Sequence, residues 1–213
     1  MDALRGPGAG HGLILDLGCG AGPLSAVLVR RGYEVIGVDS SAAMIRLARK
    51  RVPRTKFVRG SIATVTLPTC DAAVAIGEIL NYLASPAELL RVLRRMFVAL
   101  RPGGVFVFDA LLPRPKRRRI ATHSEGSWTI VATIDESPTR VRRDITTFVR
   151  SGDTWRRGRE VHVQRLYSVA ALGRTLRSVG FRVRSESLDD SHALFIGRKA
   201  AANRSMRSRP GTA

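Results

Sequence analysis

The sequence predicts an α/β chain: a doubly wound, mainly parallel seven-stranded sheet with a small antiparallel sheet inserted after the fifth strand. Three observations predict it. Short apolar runs alternate with segments of helical period between residues 12 and 111, the pattern of a parallel sheet covered on both faces. The first apolar run feeds a glycine-dense turn, "LDLGCGAG" at 15–22, where such sheets cradle ligands. From Ser127 to Leu166 helical period vanishes, and extended runs separated by turns replace it.

Each element follows in order. "GLILDL" (12–17) is a short buried strand, and "AGPLSAVLVRRG" (21–32) a helix ended by Gly32. "YEVIGVD" (33–39) is the second strand. "SSAAMIRLARKRV" (40–52) is a helix capped by Ser40 or Ser41. "TKFVRG" (55–60) and "DAAVAIG" (71–77) are the third and fourth strands. "SPAELLRVLRRMFVAL" (85–100) carries Ser85 as N-cap, Pro86 at its first position and Glu88 to complete a capping box. "RPGG" (101–104) stops that helix and turns into the fifth strand, "VFVFDAL" (105–111). Three extended runs at about 127–135, 139–150 and 154–167 form the inserted sheet, with turns at "SPT" and "SGD". A helix at 168–180 and strands at 181–188 and 192–199 close the main sheet.

The length of 213 residues suits one domain over 1–199, followed by a basic tail at 200–213 with too few apolar residues to fold. No apolar run approaches the length of a membrane span. The first residues, "MDALRGPGAGHG", carry no apolar signal core, so a cytoplasmic location is expected. Cys19 and Cys70 have neither metal nor redox spacing, which fits a reducing compartment and predicts no metal.

The net charge of +19 implies affinity for anions, including nucleic acid. Two basic clusters stand out, "RPKRRR" (114–119) and the tail "RKAAANRSMRSRP" (198–210). Nearly all the cations are arginine, Lys50, Lys56, Lys116 and Lys199 being the lysines, and that points to a coding bias rather than a nucleic-acid footprint.

The glycine turn chooses between two ligands. A dinucleotide needs G-x-G-x-x-G, whereas Gly18, Gly20 and Gly22 give G-x-G-x-G followed by Pro23. S-adenosylmethionine carries an ammonium, a sulfonium, a ribose diol and an adenine. Asp16 on the first strand can hold the ammonium. Asp39, ending the second strand, suits two ribose hydroxyls, although it would serve a dinucleotide ribose equally. Met44 can pack on the adenine face, the adenine edge falls at Gly60, Ser61 and Ile62, and Ile76, Gly77 and Glu78 face the methionine end.

The runs "LDLGCGAG" (15–22), "VIGVDSSAAM" (35–44), "DAAVAIGEILNYL" (71–83), "LRPGGVFVFDAL" (100–111) and "YSVAALGRTLRSVGFRV" (167–183) together resemble a class I S-adenosylmethionine-dependent methyltransferase of the small-molecule branch. The resemblance covers about 12–199. It implies a Rossmann-like fold, S-adenosyl-L-methionine as cofactor, and cofactor contacts from Asp16, Gly18, Cys19, Gly20, Asp39, Ser40, Met44, Ser61, Ile62, Ile76, Gly77 and Glu78. Ser61 departs from the pattern, since many relatives carry an acid there. Relatives also place a helical cap ahead of the first strand, so this chain either lacks the cap or begins downstream of its natural start.

Methyl transfer is an in-line displacement, so positioning and exclusion of water do most of the work, and a base matters only for a protonated nucleophile. Glu78 and Tyr82, with Asn81, follow the fourth strand where the methyl emerges. His123, His162 and His192 are the possible bases. Alternation in "REVHVQRLY" puts Glu160, His162 and Gln164 on one strand face. Catalytic candidates are therefore Glu78, Tyr82 and His162, while Cys70 and Cys19 read as packing residues and Trp128 and Trp155 as staples of the small sheet. The sequence lacks the Asn/Asp-Pro-Pro-aromatic run of nucleic-acid amine methylators. Its expected activity is methyl transfer to a nitrogen or oxygen of a small molecule. The alternatives are an RNA methyltransferase and a cofactor-binding protein without turnover. The sequence leaves the oligomeric state open.

Overall fold

A computed structural model describes residues 12–201. The N-terminal stretch that would hold a cap, and almost all of the basic tail, lie outside these residues. The main sheet contains β1 (Leu13–Leu17), β2 (Glu34–Asp39), β3 (Lys56–Arg59), β4 (Cys70–Ala75), β5 (Leu100–Leu111), β10 (Arg182–Asp189) and β11 (His192–Arg198). Their order is β10-β11-β5-β4-β1-β2-β3. β1 to β5 run parallel, and β11 lies antiparallel to both β5 and β10. The helices are α1 (Pro23–Arg30), α2 (Ala42–Arg51), α3 (Pro86–Ala99) and α4 (Val169–Val179). Among the described residues no helix is long and apolar enough to cross a membrane.

Strand alternation divides the core between the two faces of the sheet. Leu15, Leu17, Ala73, Ala75, Phe106 and Phe108 share one cluster with Leu89, Leu93 and Met96 of α3 and Leu172 and Leu176 of α4. Ile14, Ala72, Val74, Val105 and Val107 share the other with Leu28 of α1. Phe108 stacks on Phe195 with ring centroids 5.1 Å apart, tying β11 to β5. Each such fully buried phenylalanine contributes about 1.5–3 kcal/mol of burial energy.

The caps are side chains near the expected ones. Ser41, not Ser40, caps α2, accepting from the Met44 N–H, and Ser168 caps α4. Ser85 accepts from Glu88 N–H, but Glu88 reaches back to Ala84 N–H at 2.7 Å, one residue before the usual capping-box position. β5 begins at Leu100 rather than 105. The "RPGG" stretch continues the strand through a bulge, where Leu100 pairs with Cys70 and Gly103 takes a φ of 84°.

The inserted sheet has four strands instead of three and starts at 117 instead of 127. These are β6 (Arg117–Glu125), β7 (Trp128–Glu136), β8 (Arg140–Ser151) and β9 (Thr154–Arg165), paired antiparallel in that order. β6 contains three arginines and a 70% exposed Ile120, so no buried alternation marks it. Ala132, Ile134 and Val141 anchor the sheet's root against Leu111 at the end of β5 and Leu166.

Candidate active site

β1 and β4 lie side by side, yet the chain leaves them toward opposite edges of the sheet. At such a switch point the carboxyl ends of the strands open a crevice. The glycine turn occupies the β1 side. Gly18, Gly20 and Gly22 take φ values of 67°, 54° and 77°, conformations that favour glycine. The Gly18 and Cys19 N–H groups both donate to Val38 O, at 2.7 and 3.0 Å, which fastens the turn to β2. A Cβ on Gly18 would lie 2.4 Å from Ile79 Cδ1, while one on Gly20 would meet nothing within 4 Å. Gly18 is therefore a packing position, and Gly20 borders open space.

Asp39 closes the turn. Its Oδ2 accepts from Gly20 N–H at 2.9 Å and its Oδ1 from Ser41 N–H at 2.8 Å. A carboxylate offers about four acceptor positions, so two remain on Asp39, one on each oxygen. Asp16 differs. It is 2% exposed, and its Oδ2 takes the Ser25 hydroxyl at 2.5 Å. Burial pushes its pKa above the usual carboxylate value; the Ser25 bonds oppose this and the charge of Asp39 adds to it.

Three expected contacts sit differently. Cys19 packs its thiol with Ile45, Ala48 and Phe57, while its N–H goes to Val38 O and its O accepts from Gly22 N–H. It shapes the turn from inside. Ile62 joins the core cluster of Leu17 and Val38. Ser61 is exposed, but its hydroxyl accepts from Ala63 N–H at 3.2 Å. Met44 is 42% exposed on the first turn of α2, and Ser40 is exposed beside Asp39. From α3, the Arg95 guanidinium donates to Ala63 O and Val65 O and so grips the loop that carries Ser61.

The β4 side is a turn held by one acid. Asp109 Oδ1 accepts from both Gly77 N–H and Glu78 N–H, each at 2.9 Å. Gly77 has φ 101° with open space at its Cβ position, and Ile76 is 43% exposed. Glu78, at φ 60°, is the single non-glycine residue with positive φ among the described residues. A 3₁₀ turn, Ile79–Tyr82, follows.

The Glu78 carboxylate points into the protein rather than out of the turn. Its Oε2 accepts from Gln164 Nε2 at 2.5 Å and lies 3.8 Å from the Arg143 guanidinium. Its Oε1 is 2.9 Å from His192 Nε2, and His192 Nδ1 is 2.9 Å from Asp189 Oδ2. A neutral imidazole has one N–H and could donate to only one of these carboxylates; the imidazolium satisfies both. Arg143 also donates to Gln164 Oε1. Glu78 thus joins the turn to β8, β9 and β11. Asn81, 1% exposed, is a clamp as well: it donates to Leu111 O and Arg165 O and accepts from Leu111 N–H.

Tyr82 and His162 come together. The Tyr82 hydroxyl lies 3.0 Å from His162 Nδ1, and His162 Nε2 lies 3.2 Å from Glu160 Oε2. One assignment of protons completes the chain: Tyr82 donates to Nδ1, and Nε2–H donates to Glu160. Partial burial pushes the phenol above its usual pKa, with Arg143 opposing. Glu160, His162 and Gln164 do share a strand face, and it turns toward the segment after β4. His123 stands apart, 5.1 Å ring to ring from Trp128 within the inserted sheet, and Trp155 is 54% exposed.

Much of "RPKRRR" is engaged internally: Arg114 and Arg119 with Glu136, and Arg118 with Asp135. Among the described residues no three His, Cys, Asp or Glu side chains converge to hold a metal ion. Asp109, Arg143, Asp189 and Arg95 escaped the sequence reading: Asp109, Arg143 and Arg95 act on partners far along the chain, and Asp189 acts through His192 on Glu78. Asp109 alone carried a signal, as an acid two residues before the end of β5.

Residues 14–104 match the family described as a methyltransferase domain. The chain is 30% identical over 194 residues to a trans-aconitate 2-methyltransferase of Methylobacterium radiotolerans, covering 84% of this chain and 72% of that one. Its fold matches a crystal structure of an S-adenosylmethionine-dependent methyltransferase from Clostridium acetobutylicum with TM-score 0.81, at 18% identity, over 89% of this chain and 84% of that one. It matches with TM-score 0.77 the S-adenosylmethionine-bound CalS10, an amino pentose methyltransferase from Micromonospora echinaspora, at 24% identity over 93% and 86% of the two chains. With the seven-stranded order and the glycine turn at its switch point, these matches show that the chain belongs to the class I S-adenosylmethionine-dependent methyltransferases.

Proposed function

We propose that this enzyme transfers the methyl group of S-adenosylmethionine to a nitrogen or oxygen of a small molecule. The observation that carries the reading is the Asp39 carboxylate, fixed by Gly20 and Ser41 N–H groups with one acceptor position left on each oxygen. Those positions suit a ribose diol. Gly20 leaves room for the ribose and methionine portion, Gly18 lets the turn close over Ile79, Met44 packs on the adenine, and Ser40 and the Ser61–Ile62 backbone border it. Asp16 acts from behind the turn, as a buried negative charge toward the ammonium. Ile76, Gly77 and the Glu78 backbone line the methionine end.

The cofactor supplies an electrophilic methyl on a sulfonium. The chain's own residues position the acceptor and take its proton. Tyr82 and His162 are the base proposed for a protonated nucleophile: Glu160 holds Nε2–H, so Nδ1 can take the Tyr82 proton as the phenol oxygen takes that of the acceptor. Glu78 serves as a positioning residue, not as the base, since both its oxygens are engaged. A small acceptor agrees with the activities of the trans-aconitate and amino pentose methyltransferases, and with the internal pairing of the basic cluster, which weakens the RNA reading. A cytoplasmic site of action agrees with two free, buried thiols.

The test is transfer of labelled methyl from S-adenosylmethionine to pooled small carboxylic acids, amines and amino sugars. The reading expects a labelled product, with Tyr82→Phe and His162→Asn each lowering the rate about 10²–10⁴-fold. Cofactor binding with no transfer to any pool would favour binding without turnover.

A further inference from the structure

We propose that the groove between the segment Tyr82–Ala84 and the paired residues Arg140 and Arg165 binds an oxyanion, the carboxylate or phosphate group of the methyl acceptor. This rests on the methyltransferase reading above and narrows its substrate class.

The groove has a volume of about 480 Å³, with Leu83 and Val163 supplying apolar wall and Arg140 and Arg165 the charge. That volume suits a small molecule. Arg140 and Arg165 are direct partners in the β8–β9 register. Directly opposed side chains start about 4.5–5.5 Å apart, and like charges there destabilise a sheet. Several other arginines of the inserted sheet are answered by acids: Asp144 pairs with Arg142 and Arg159, and Asp135 with Arg118. The groove differs, because no carboxylate lines it.

The nearby acids are committed elsewhere. Glu88 accepts from Ala84 N–H and lies 3.6 Å from Arg91, while Glu160 meets His162. Arg165 gives one nitrogen to Ala84 O at 3.2 Å, which orients the guanidinium and leaves its remaining N–H groups. Thr139 adds a hydroxyl to the wall, whereas that of Ser137 is held by the Arg140 backbone. Two guanidinium forks without an acid form a receptor for an oxyanion, because each can bond two oxygens at once.

The groove also connects to the chemistry. Tyr82 lines it and places its hydroxyl on His162. An acceptor held by its anionic group between the arginines would extend past Tyr82, with its nucleophile at the Tyr82–His162 pair. The anion fixes the acceptor while the pair takes its proton.

The experiment titrates the full chain by calorimetry with two probes, tricarballylate for a carboxylate and inorganic pyrophosphate for a phosphate. S-adenosylhomocysteine is titrated in parallel as the measure of an intact cofactor cradle, and circular dichroism reports an intact fold. We expect one probe to bind, its identity naming the source of the oxyanion. Arg140→Gln and Arg165→Gln each weaken it at least tenfold, and the lysine variants, which keep charge without the fork, weaken it less. Arg157→Gln, an exposed arginine of β9 outside the groove, changes it less than twofold. S-adenosylhomocysteine affinity stays constant throughout. Absence of binding by both probes at millimolar concentration would overturn the proposal. So would equal loss in Arg157→Gln, which would reveal general attraction to a basic chain. Binding of a probe to a chain that ignores S-adenosylhomocysteine would instead overturn the methyltransferase reading and the assignment of the anion to an acceptor.

Discussion

Glu78 and His192 meet at 2.9 Å across 114 residues of chain, joining the turn after β4 to the last strand. Glu78 holds a left-handed backbone to do so, which costs about 1–2 kcal/mol for a residue with a Cβ. Glu78→Gly relieves that strain but abandons Gln164, Arg143 and His192. Hydrogen bonds to a charged group are worth about 1.5–3 kcal/mol each, so the clamp outweighs the strain. Thermal unfolding of Glu78→Gly is expected at a lower temperature than wild type. A gain in stability would show that the three contacts contribute little.

Asp16 sets stability against binding. Its pKa is raised in the folded state by burial, so its stabilising contribution is present below the ordinary value of 3.8 and is lost as pH rises through the folded value. Above the folded value the ionised, buried carboxylate is a cost. Asp16→Asn removes the charge and keeps an oxygen for the Ser25 hydroxyl. Its stability relative to wild type is expected to grow as pH rises from acid and then level off, while S-adenosylmethionine affinity falls about tenfold or more. Denaturant titrations across pH test this, and a variant that is less stable at neutral pH than at acid pH, relative to wild type, would refute it.

Gly18 and Gly20 separate packing from binding. Both have positive φ, but only a Cβ on Gly18 collides with Ile79. Gly18→Ala should lower the melting temperature more than Gly20→Ala, since the second carries only the backbone penalty of about 1–2 kcal/mol. Gly20→Ala places a methyl in the open cradle and should chiefly weaken cofactor binding. Paired melting and titration measurements distinguish the two losses.

Burial pushes both thiols up to about 12, Cys19 with help from the charges of Asp16 and Asp39, and Cys70 with help from Asp71. At pH 8 about one thiol in ten thousand would be ionised. Alkylation of the folded chain should therefore be far slower than that of the unfolded chain, and neither cysteine should act as a nucleophile. Rapid labelling of either residue in the native protein would contradict their placement.

The parallel sheet was legible because its strands are apolar runs bounded by turns, and "LDLGCGAG" ends in the glycines that a switch-point turn requires. β6 was not, since an exposed strand of arginine and polar residues buries nothing that could set its alternation. "RPGG" looked like a stop, yet Gly103 and Gly104 let the strand run on through a bulge. The nature of the residues after β4 was visible, but not their direction. Glu78 and Asn81 read as substrate or methionine-end contacts, and the side chains of both face inward to partners that topology alone brings near. Tyr82 and His162 were singled out separately; their meeting depends on the β8–β9 register and the 3₁₀ turn, neither of which local sequence encodes.

The most direct test of the account is calorimetric titration of S-adenosylhomocysteine into wild-type protein, Asp39→Asn and Asp39→Ala. Asp39 joins the glycine turn, the N-terminus of α2 and the proposed ribose contact in one carboxylate. The account predicts micromolar binding by wild type, a loss of about tenfold in Asp39→Asn and of about a hundredfold or more in Asp39→Ala, as first the charge and one acceptor oxygen, and then both oxygens, are lost. Equal affinity in all three proteins would place the cofactor elsewhere and contradict the reading of the cradle.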